Sequence, residues 1–267
     1  MRGILVYDIE GARRNEWFIA HLTECAKKRG HILELVIYPE QFEKIIHPLP
    51  DFAIVRTICP SLNLELESLG VPTFNNSTTS RIANDKWKTF LFGKELGLDV
   101  MHTEKISAQD GRVMPFPFVI KTVDGHGGSE VFLADSTDKC KEIFALLENK
   151  ELISQELSSE PGIDMRVYML GAEVIAAVKR SSASDFRSNF SLGGNAELVP
   201  LDEDVRCTAI RISTALRSDL VGIDFIRHKE KWILNEIEDV VGTRMLYSKT
   251  DLDAADMYIE YILNKLS

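Results

Sequence analysis

The chain divides into a small open α/β lobe, ending near residue 75, and α+β lobes in which hairpin-joined strands alternate with helices. Three observations predict this. The first segment alternates strand, helix and strand, the pattern of a parallel sheet with covering helices. Beyond residue 115, short apolar runs are separated by turns of hairpin length. Two of those runs also carry carboxylates, Asp224 in Val221-Gly-Ile-Asp-Phe-Ile226 and Glu236 and Glu238 in Trp232-Ile-Leu-Asn-Glu-Ile-Glu238. An apolar strand normally excludes a lone charge, because burying it costs several kcal/mol.

Taken in order, the run Gly3-Ile-Leu-Val-Tyr7 predicts a strand over 4–7. An amphipathic helix follows over 16–28, closed by Arg29-Gly30, and a second strand over 32–37, giving a βαβ unit. Residues 52–55 read as a strand, 62–69 as a short helix ended by Gly70, and Val71-Pro72-Thr73-Phe74 as extended chain. No Gly-x-Gly-x-x-Gly follows the first strand, so the lobe lacks the dinucleotide fingerprint. A helix over 81–96 ends at Gly97. Strands are then expected at 116–122, 130–134, 152–155, 165–170, 173–179, 198–201, 220–226 and 231–237, with helices at 137–148, 203–217 and 252–266. No internal repeat or low-complexity segment interrupts them.

Composition excludes several classes. With 267 residues, 45% of them hydrophobic, the chain can bury a full core in two or three lobes. A net charge of −10 argues against a surface that wraps nucleic acid, so any cationic site is local. Cys25, Cys59, Cys140 and Cys207 show no Cys-x-x-Cys spacing and no partner His pattern, which argues against zinc and a disulfide framework and fits a reducing cytoplasm. The opening apolar run is too short for a signal peptide, and no stretch reaches the length of a membrane helix.

Glu236 and Glu238 stand two apart, so on a strand they share a face, and a hairpin through Arg227-His-Lys-Glu-Lys231 brings Asp224 beside them. Three hard oxygen donors suit Mg²⁺ with nucleotide phosphates; carboxylates on a solvated sheet face are the ordinary alternative. Upstream, the strand Phe116-Pro-Phe-Val-Ile-Lys-Thr122 feeds Val123-Asp-Gly-His-Gly-Gly-Ser129. A glycine turn aims backbone N–H groups at a ligand, and Lys121 would add a point charge, although such a turn is more often only a turn. Between these stations lie Asp164 and four cations, Arg166, Lys179, Arg180 and Arg187, with Asn189 beside the last; the cations suit anions or salt bridges with Asp164 and other neighbouring acids.

The ordered set Asn84-Asp-Lys86, Val119-Ile-Lys121 with its glycine turn, Ser154-Gln-Glu156, Asp164-Met-Arg166, Asp185-Phe-Arg-Ser-Asn189, Gly222-Ile-Asp224 and Asn235-Glu-Ile-Glu238 resembles the ATP-grasp superfamily, most of all its RimK-type branch of carboxylate-amine ligases. The resemblance implies an ATP-grasp fold of three lobes: a pre-ATP-grasp α/β domain over 1–75 and an ATP-grasp domain over 76–267, with a small lid lobe at about 100–155 and a C-terminal α+β catalytic lobe at about 156–267. It implies that a carboxylate attacks the γ-phosphate to give an acylphosphate, from which an amine displaces phosphate. By the same resemblance Lys86 and Lys121 hold the α and β phosphates, and Asp124, Gly125, Gly127, Gly128 and Ser129 form the lid over them. Gln155, Glu156 and Leu157 lie along the adenine and Asp164 meets the ribose. Arg187 and Asn189 hold the transferred phosphoryl group, with Arg166 and Arg180 close by. Asp224, Glu236 and Glu238 bind two Mg²⁺ ions.

Departures limit the transfer. Glu236-Ile-Glu238 replaces the usual Glu-x-Asn, which admits Mn²⁺ or Ca²⁺ beside Mg²⁺. Asp239-Val-Val-Gly-Thr-Arg244 replaces a Ser-Pro-Gly segment bordering the acceptor, so the carboxylate and the amine (amino acid, peptide or protein tail) are not inherited from the resemblance. Arg244 has two readings, surface residue or clamp on an acceptor carboxylate. A homo-oligomer is compatible with the sequence. The alternative function is a nucleotide-binding regulatory or interaction protein that kept the fold without ligation; joint retention of the lysines, the Arg187/Asn189 pair and the three acids favours the enzyme.

Overall fold

The computed structural model describes residues 1–107, 114–182, 185–187 and 195–267. Its first sheet is parallel, in the order β2-β1-β3-β4, from β1 (Arg2–Tyr7), β2 (Ile32–Ile37), β3 (Phe52–Val55) and β4 (Thr73–Phe74). Buried Ile4, Leu5, Val6, Ala53 and Ile54 make these strands apolar on both faces, as a sheet covered on both sides requires. The covering helices are α1 (Ile9–Arg14), α2 (Glu16–Lys28), α3 (Glu43–Ile46) and α4 (Pro60–Ser68). Sequence periodicity misses α1, which is only six residues long and is started by Asp8 accepting a 2.7 Å hydrogen bond from the Gly11 N–H.

The helix expected over 81–96 is two helices, α5 (Ser77–Ala83) and α6 (Lys86–Glu95). Asp85 breaks them by capping α6 through the Lys88 N–H at 2.8 Å, which puts Lys86 in the first turn with its side chain turned toward the cleft rather than along a continuous solvent face.

A second sheet, antiparallel in the order β5-β8-β6-β7, comprises β5 (Thr103–Ile106), β6 (Phe118–Thr122), β7 (Val131–Ala134) and β8 (Leu152–Glu156). One face packs against α7 (Thr137–Leu146) through Phe118, Ile120, Ala134, Cys140 and Ile143. The other presents Val119, Lys121, Val131 and Gln155 to a cleft.

The third sheet is antiparallel, β11-β10-β9-β12-β13, from β9 (Ile163–Leu170), β10 (Glu173–Ser181), β11 (Asn195–Leu198), β12 (Leu220–His228) and β13 (Lys231–Glu238). Its alternation separates chemistry from core. Met165, Val167, Met169, Val221, Ile223 and Phe225 pack under α8 (Glu203–Leu216), while Asp164, Arg166, Tyr168 and Asp224 take the opposite face. After α9 (Arg244–Lys249), the last helix α10 (Ala254–Leu266) packs on α2, so the C-terminus closes the core of the first lobe. Arg29 on α2 forks onto Asp256 at 2.5 and 2.9 Å, and His21 lies 2.8 Å from Asp253. Among the described residues no helix is long and apolar enough to cross a membrane.

The hydrogen bonds from Arg29 hold the Asp256 carboxyl below its ordinary value. A depressed carboxylate stabilises the fold above its unfolded pKa, near 3.9, and that contribution is lost as pH falls through the folded pKa. Asp256→Asn is therefore expected to lower Tm by roughly 1–3 °C from neutral pH down to about 5, since the pair is partly solvated, and to make no difference near pH 2. Melting curves of the two proteins across pH 2–7 test it; an equal deficit at pH 2 would remove charge as the cause.

Candidate functional site

The cleft between the second and third sheets gathers most of the expected residues. Lys86, Lys121, Gly127, Gly128, Gln155, Glu156, Leu157, Asp164, Arg166, Arg187, Asp224, Glu236 and Glu238 all line it. Apolar walls come from Val119, Val131, Ile163 and Ile226. Arg180 lies outside this cleft and borders a neighbouring cavity. Asp124 and Ser129 are exposed on the turn and Gly125 is buried in it. Asn189, with Gly193 and Gly194, lies outside the described residues.

The acids do not converge on one point as the spacing suggests. Asp224 stands opposite Arg166 on β9 and Glu236 on β13. Both of its oxygens accept from Arg166, at 2.7 Å each, and Oδ2 accepts from Arg180 at 2.7 Å as well. Arg166 reaches on to Glu238 at 2.5 Å, and Arg180 grips both oxygens of Asp164 at 2.6 Å. The result is an alternating ladder, Asp164–Arg180–Asp224–Arg166–Glu238, across four strands. Asp164, expected at a ribose, and Asp224, expected on a metal, are thus held by guanidinium groups, because full burial leaves each carboxylate needing a cation. Gly222 makes room for the ladder: a Cβ there would stand 2.7 Å from Val241 Cγ2 and 3.3 Å from Arg166 Cδ.

Charge is distributed unevenly over this frame. Burial raises the Asp224 pKa, but Arg166 and Arg180 outweigh it and hold the carboxyl well below its usual range. Burial pushes Glu238 up, and one shared guanidinium does not reverse it. Glu236 is also pushed up by burial, yet Lys86 at 3.9 Å and Lys121 at 3.7 Å bring it below its ordinary value. Desolvation lowers Lys121 in turn.

Sequence reasoning gave no role to Asn235, whose Oδ1 accepts from Lys121 Nζ at 3.1 Å. The β12–β13 register slips between Asp224 and Phe225, so Asn235 is an extra bulged residue beside Glu236 and both side chains line the cleft. A strict period of two would turn them to opposite faces, so period alone conceals it.

The glycine turn covers the lysines. Lys86 Nζ donates to the Gly125 carbonyl, and Arg187, held by Asp185 with Nη2 at 2.7 Å, donates from Nη1 to the Gly128 carbonyl at 2.9 Å. Gly127 and Gly128 have φ of 66° and 77°, a conformation glycine adopts without strain. His126 is exposed, and Lys179, opposite Met165 on β9 and so on the sheet face turned from the cleft, pairs with Glu197 at 3.4 Å. Away from the cleft, His21, Cys25 and Asp253 bring one ligand atom each within 4.8 Å, a grouping that chain spacing hides because Asp253 comes from α10. His21 and Asp253 are hydrogen-bonded to one another there.

A cleft between two antiparallel sheets, with two lysines, a glycine turn and acids on its floor, is that of an ATP-dependent ligase. Residues 94–262 match the family model of the RimK-like ATP-grasp domain, and the chain belongs to that family. It is 28% identical to a probable alpha-L-glutamate ligase 1 of Pseudoalteromonas atlantica over 92% of this chain and 91% of that one. A probable alpha-L-glutamate ligase 1 of Shewanella denitrificans is 29% identical over 90% and 91%. Among solved structures, the D-alanine–D-alanine ligase of Bacillus anthracis complexed with ATP superposes with a TM-score of 0.77 at 14% identity, covering 100% of this chain and 97% of that one. An ATP-grasp RimK domain protein of Sphaerobacter thermophilus gives 0.73 at 17% identity, covering 98% and 100%. The chain is an ATP-dependent carboxylate-amine ligase, of a family that uses ATP and Mg²⁺.

Asp224 is the carboxylate shared by both buried guanidinium groups, Arg166 and Arg180. Asp224→Asn is expected to cost about 3–5 kcal/mol, the range for breaking a buried pair. Denaturant unfolding measures it, and a loss below about 1 kcal/mol would mean that the ladder does not brace the sheet.

Proposed function

We propose that the cleft activates a carboxylate as its acylphosphate and passes it to an amine, with ADP and phosphate released. The observation that carries this reading is the pairing of Lys86 and Arg187 with the carbonyls of Gly125 and Gly128. In this reading phosphate oxygens would take over the same donors, so nucleotide binding would exchange one set of acceptors for another.

In this reading Lys86 and Lys121 hold the α and β phosphates, the 124–129 turn covers them, and Gln155 to Leu157 with the apolar walls take the base. Arg187, with Asn189 in the outline inferred from sequence, holds the transferred phosphoryl group. Glu236 and Glu238 fit a divalent cation: they are half-buried, face the cleft and sit beside the Asn235 amide oxygen. Asp224 would join them only by exchanging guanidinium partners, so a second ion depends on that exchange. A divalent cation held by these residues, Mg²⁺ or Mn²⁺, would supply charge neutralisation for the phosphates.

Chemically, a carboxylate oxygen attacks the γ-phosphorus and the bond to the ADP oxygen breaks. The amine nitrogen then attacks the acyl carbon, the carbonyl–phosphate bond breaks, and the amine proton leaves with phosphate or solvent. No enzyme nucleophile is needed; positioning and charge stabilisation suffice. The relatives named glutamate ligases support an amino acid as the amine. The three sheets would form the pre-ATP-grasp domain (1–75), the lid lobe (about 100–155) and the catalytic lobe (about 156–267).

Glu236→Gln removes the charge between the two lysines while keeping the volume. Metal-dependent ADP formation is expected to fall by about 10² or more, whereas metal-free ATP should bind as well or better because the lysines lose a competitor. Unchanged metal-dependent turnover contradicts the role.

Arg187→Lys keeps a point charge and loses the planar fork. The expected result is a kcat lowered by roughly 10² with ATP affinity changed only a few-fold, since charge spreads over the phosphoryl oxygens in the transition state. Equal losses in both would make Arg187 a nucleotide anchor. ¹⁸O placed in the substrate carboxylate should appear in released phosphate, and its absence would sink the acylphosphate route.

A further inference from the structure

The parallel sheet of the first lobe reverses its strand order between β1 and β3, and such a switch point is where open α/β sheets bind ligands, beyond the carboxyl ends of their strands. Asp8 follows β1 directly and Arg56 follows β3. Both line a cavity of about 470 Å³ whose far wall is Glu236 and Glu238, the acids of the nucleotide cleft. A neighbouring cavity of about 740 Å³, also bordered by Arg56 and Glu238, extends to Arg244 and Tyr247.

Arg56 is only 6% exposed, and it is engaged through one nitrogen: Nη2 donates to the Val241 carbonyl at 2.8 Å, while the guanidinium lies over the Phe18 ring at 5.5 Å. Its buried Nε has no hydrogen-bond partner among the described residues. No carboxylate of the described residues lies within 4.0 Å of it. Asp239, close enough to feel its charge, is held by Asn75 and Asn84 instead. Arg14 and Arg244, on the same cavity walls, donate to backbone carbonyls, of Glu10 and Arg14 respectively. In a chain of net charge −10, whose Arg166, Arg180 and Arg187 are all ion-paired, an unpaired buried guanidinium is costly unless an anion completes it.

We propose that Arg56 is the specificity-determining residue for the amine substrate, gripping a free carboxylate of that substrate at the switch point so that its amine is held at the Glu236/Glu238 end of the cavity. The amine substrate is then an amino acid or a peptide with a free carboxylate, and Arg14 and Arg244 favour a second carboxylate on it. This rests on the ligase reading for its chemistry, but the binding claim stands apart from turnover. Arg is the suited residue because its fork matches a carboxylate in two hydrogen bonds, and a carboxamide would set an N–H group against that fork.

Calorimetric titration of the full chain with Mg²⁺ and a non-hydrolysable ATP analogue tests it, using L-glutamate, L-aspartate and L-alanine against their α-carboxamides. At least one free acid is expected to bind about 100-fold or more tightly than its amide. Arg56→Gln is expected to erase that preference and leave the affinity for the nucleotide analogue within a few-fold. Should Arg56→Gln not fold, Arg56→Lys carries the test, with the preference falling to about tenfold as charge stays and the fork is lost. Equal binding of acid and amide by the unaltered protein, no binding of any of the three acids, or a preference that survives the substitution overturns the assignment. ADP release is measured separately: selective binding through Arg56 with no ADP released for any amine and carboxylate pair would overturn the ligase chemistry and leave Arg56 a carboxylate site.

Discussion

The buried ladder of carboxylates and guanidinium groups on the third sheet is the constraint to which the rest of the site answers. Three acids and two arginines alternate from Asp164 to Glu238, with bonds of 2.5 to 2.7 Å. Such a network is a poor source of net stability, since desolvation offsets much of the Coulomb attraction. What it does is hold five side chains in fixed rotamers across β9, β10, β12 and β13. Of its two end members, Asp164 is buried and gripped through both oxygens by Arg180, while Glu238 is partly exposed, takes a single bond from Arg166 and faces the cleft.

The cations that face this floor have the opposite balance. Lys121 on the second sheet and Lys86 at the start of α6 bracket Glu236, and Arg187, beyond β10, is clamped by Asp185. These cations now rest on turn carbonyls and on Asn235, partners that a phosphate would replace. The floor is thus rigid by ion pairing while the roof is held by exchangeable hydrogen bonds, an arrangement suited to admitting a nucleotide without disturbing the acids below.

Much of this was legible in sequence. The strands 32–37 and 52–55 and the helix 16–28 fall where the apolar pattern puts them, the strands as short apolar runs and the helix as a thirteen-residue amphipathic stretch. The failures have local causes. Asp85 splits one expected helix by capping the second half, and α1 is too short to have a period. At the site, lysines, acids and the glycine turn were each identifiable as residue types. Asn235 was not, since a bulge suspends the alternation from which faces are read. Nor was Arg56, an arginine after an apolar strand like many others until its buried Nε is seen to have no partner among the described residues.

The sequence by itself determined the family, the layering and the inventory of charges, because these follow from periodicity and from an ordered set of short motifs. Only the tertiary structure decided which charge faces which. Spacing suggests Asp224 as a metal ligand and the family resemblance implies Asp164 at a ribose, yet strand register places an arginine against each, and at burial of this depth the nearest fixed cation determines what a carboxylate does. The same holds at the switch point, where β1 and β3 are separated by forty-four residues between Tyr7 and Phe52 and only sheet order brings Asp8 and Arg56 to one cavity.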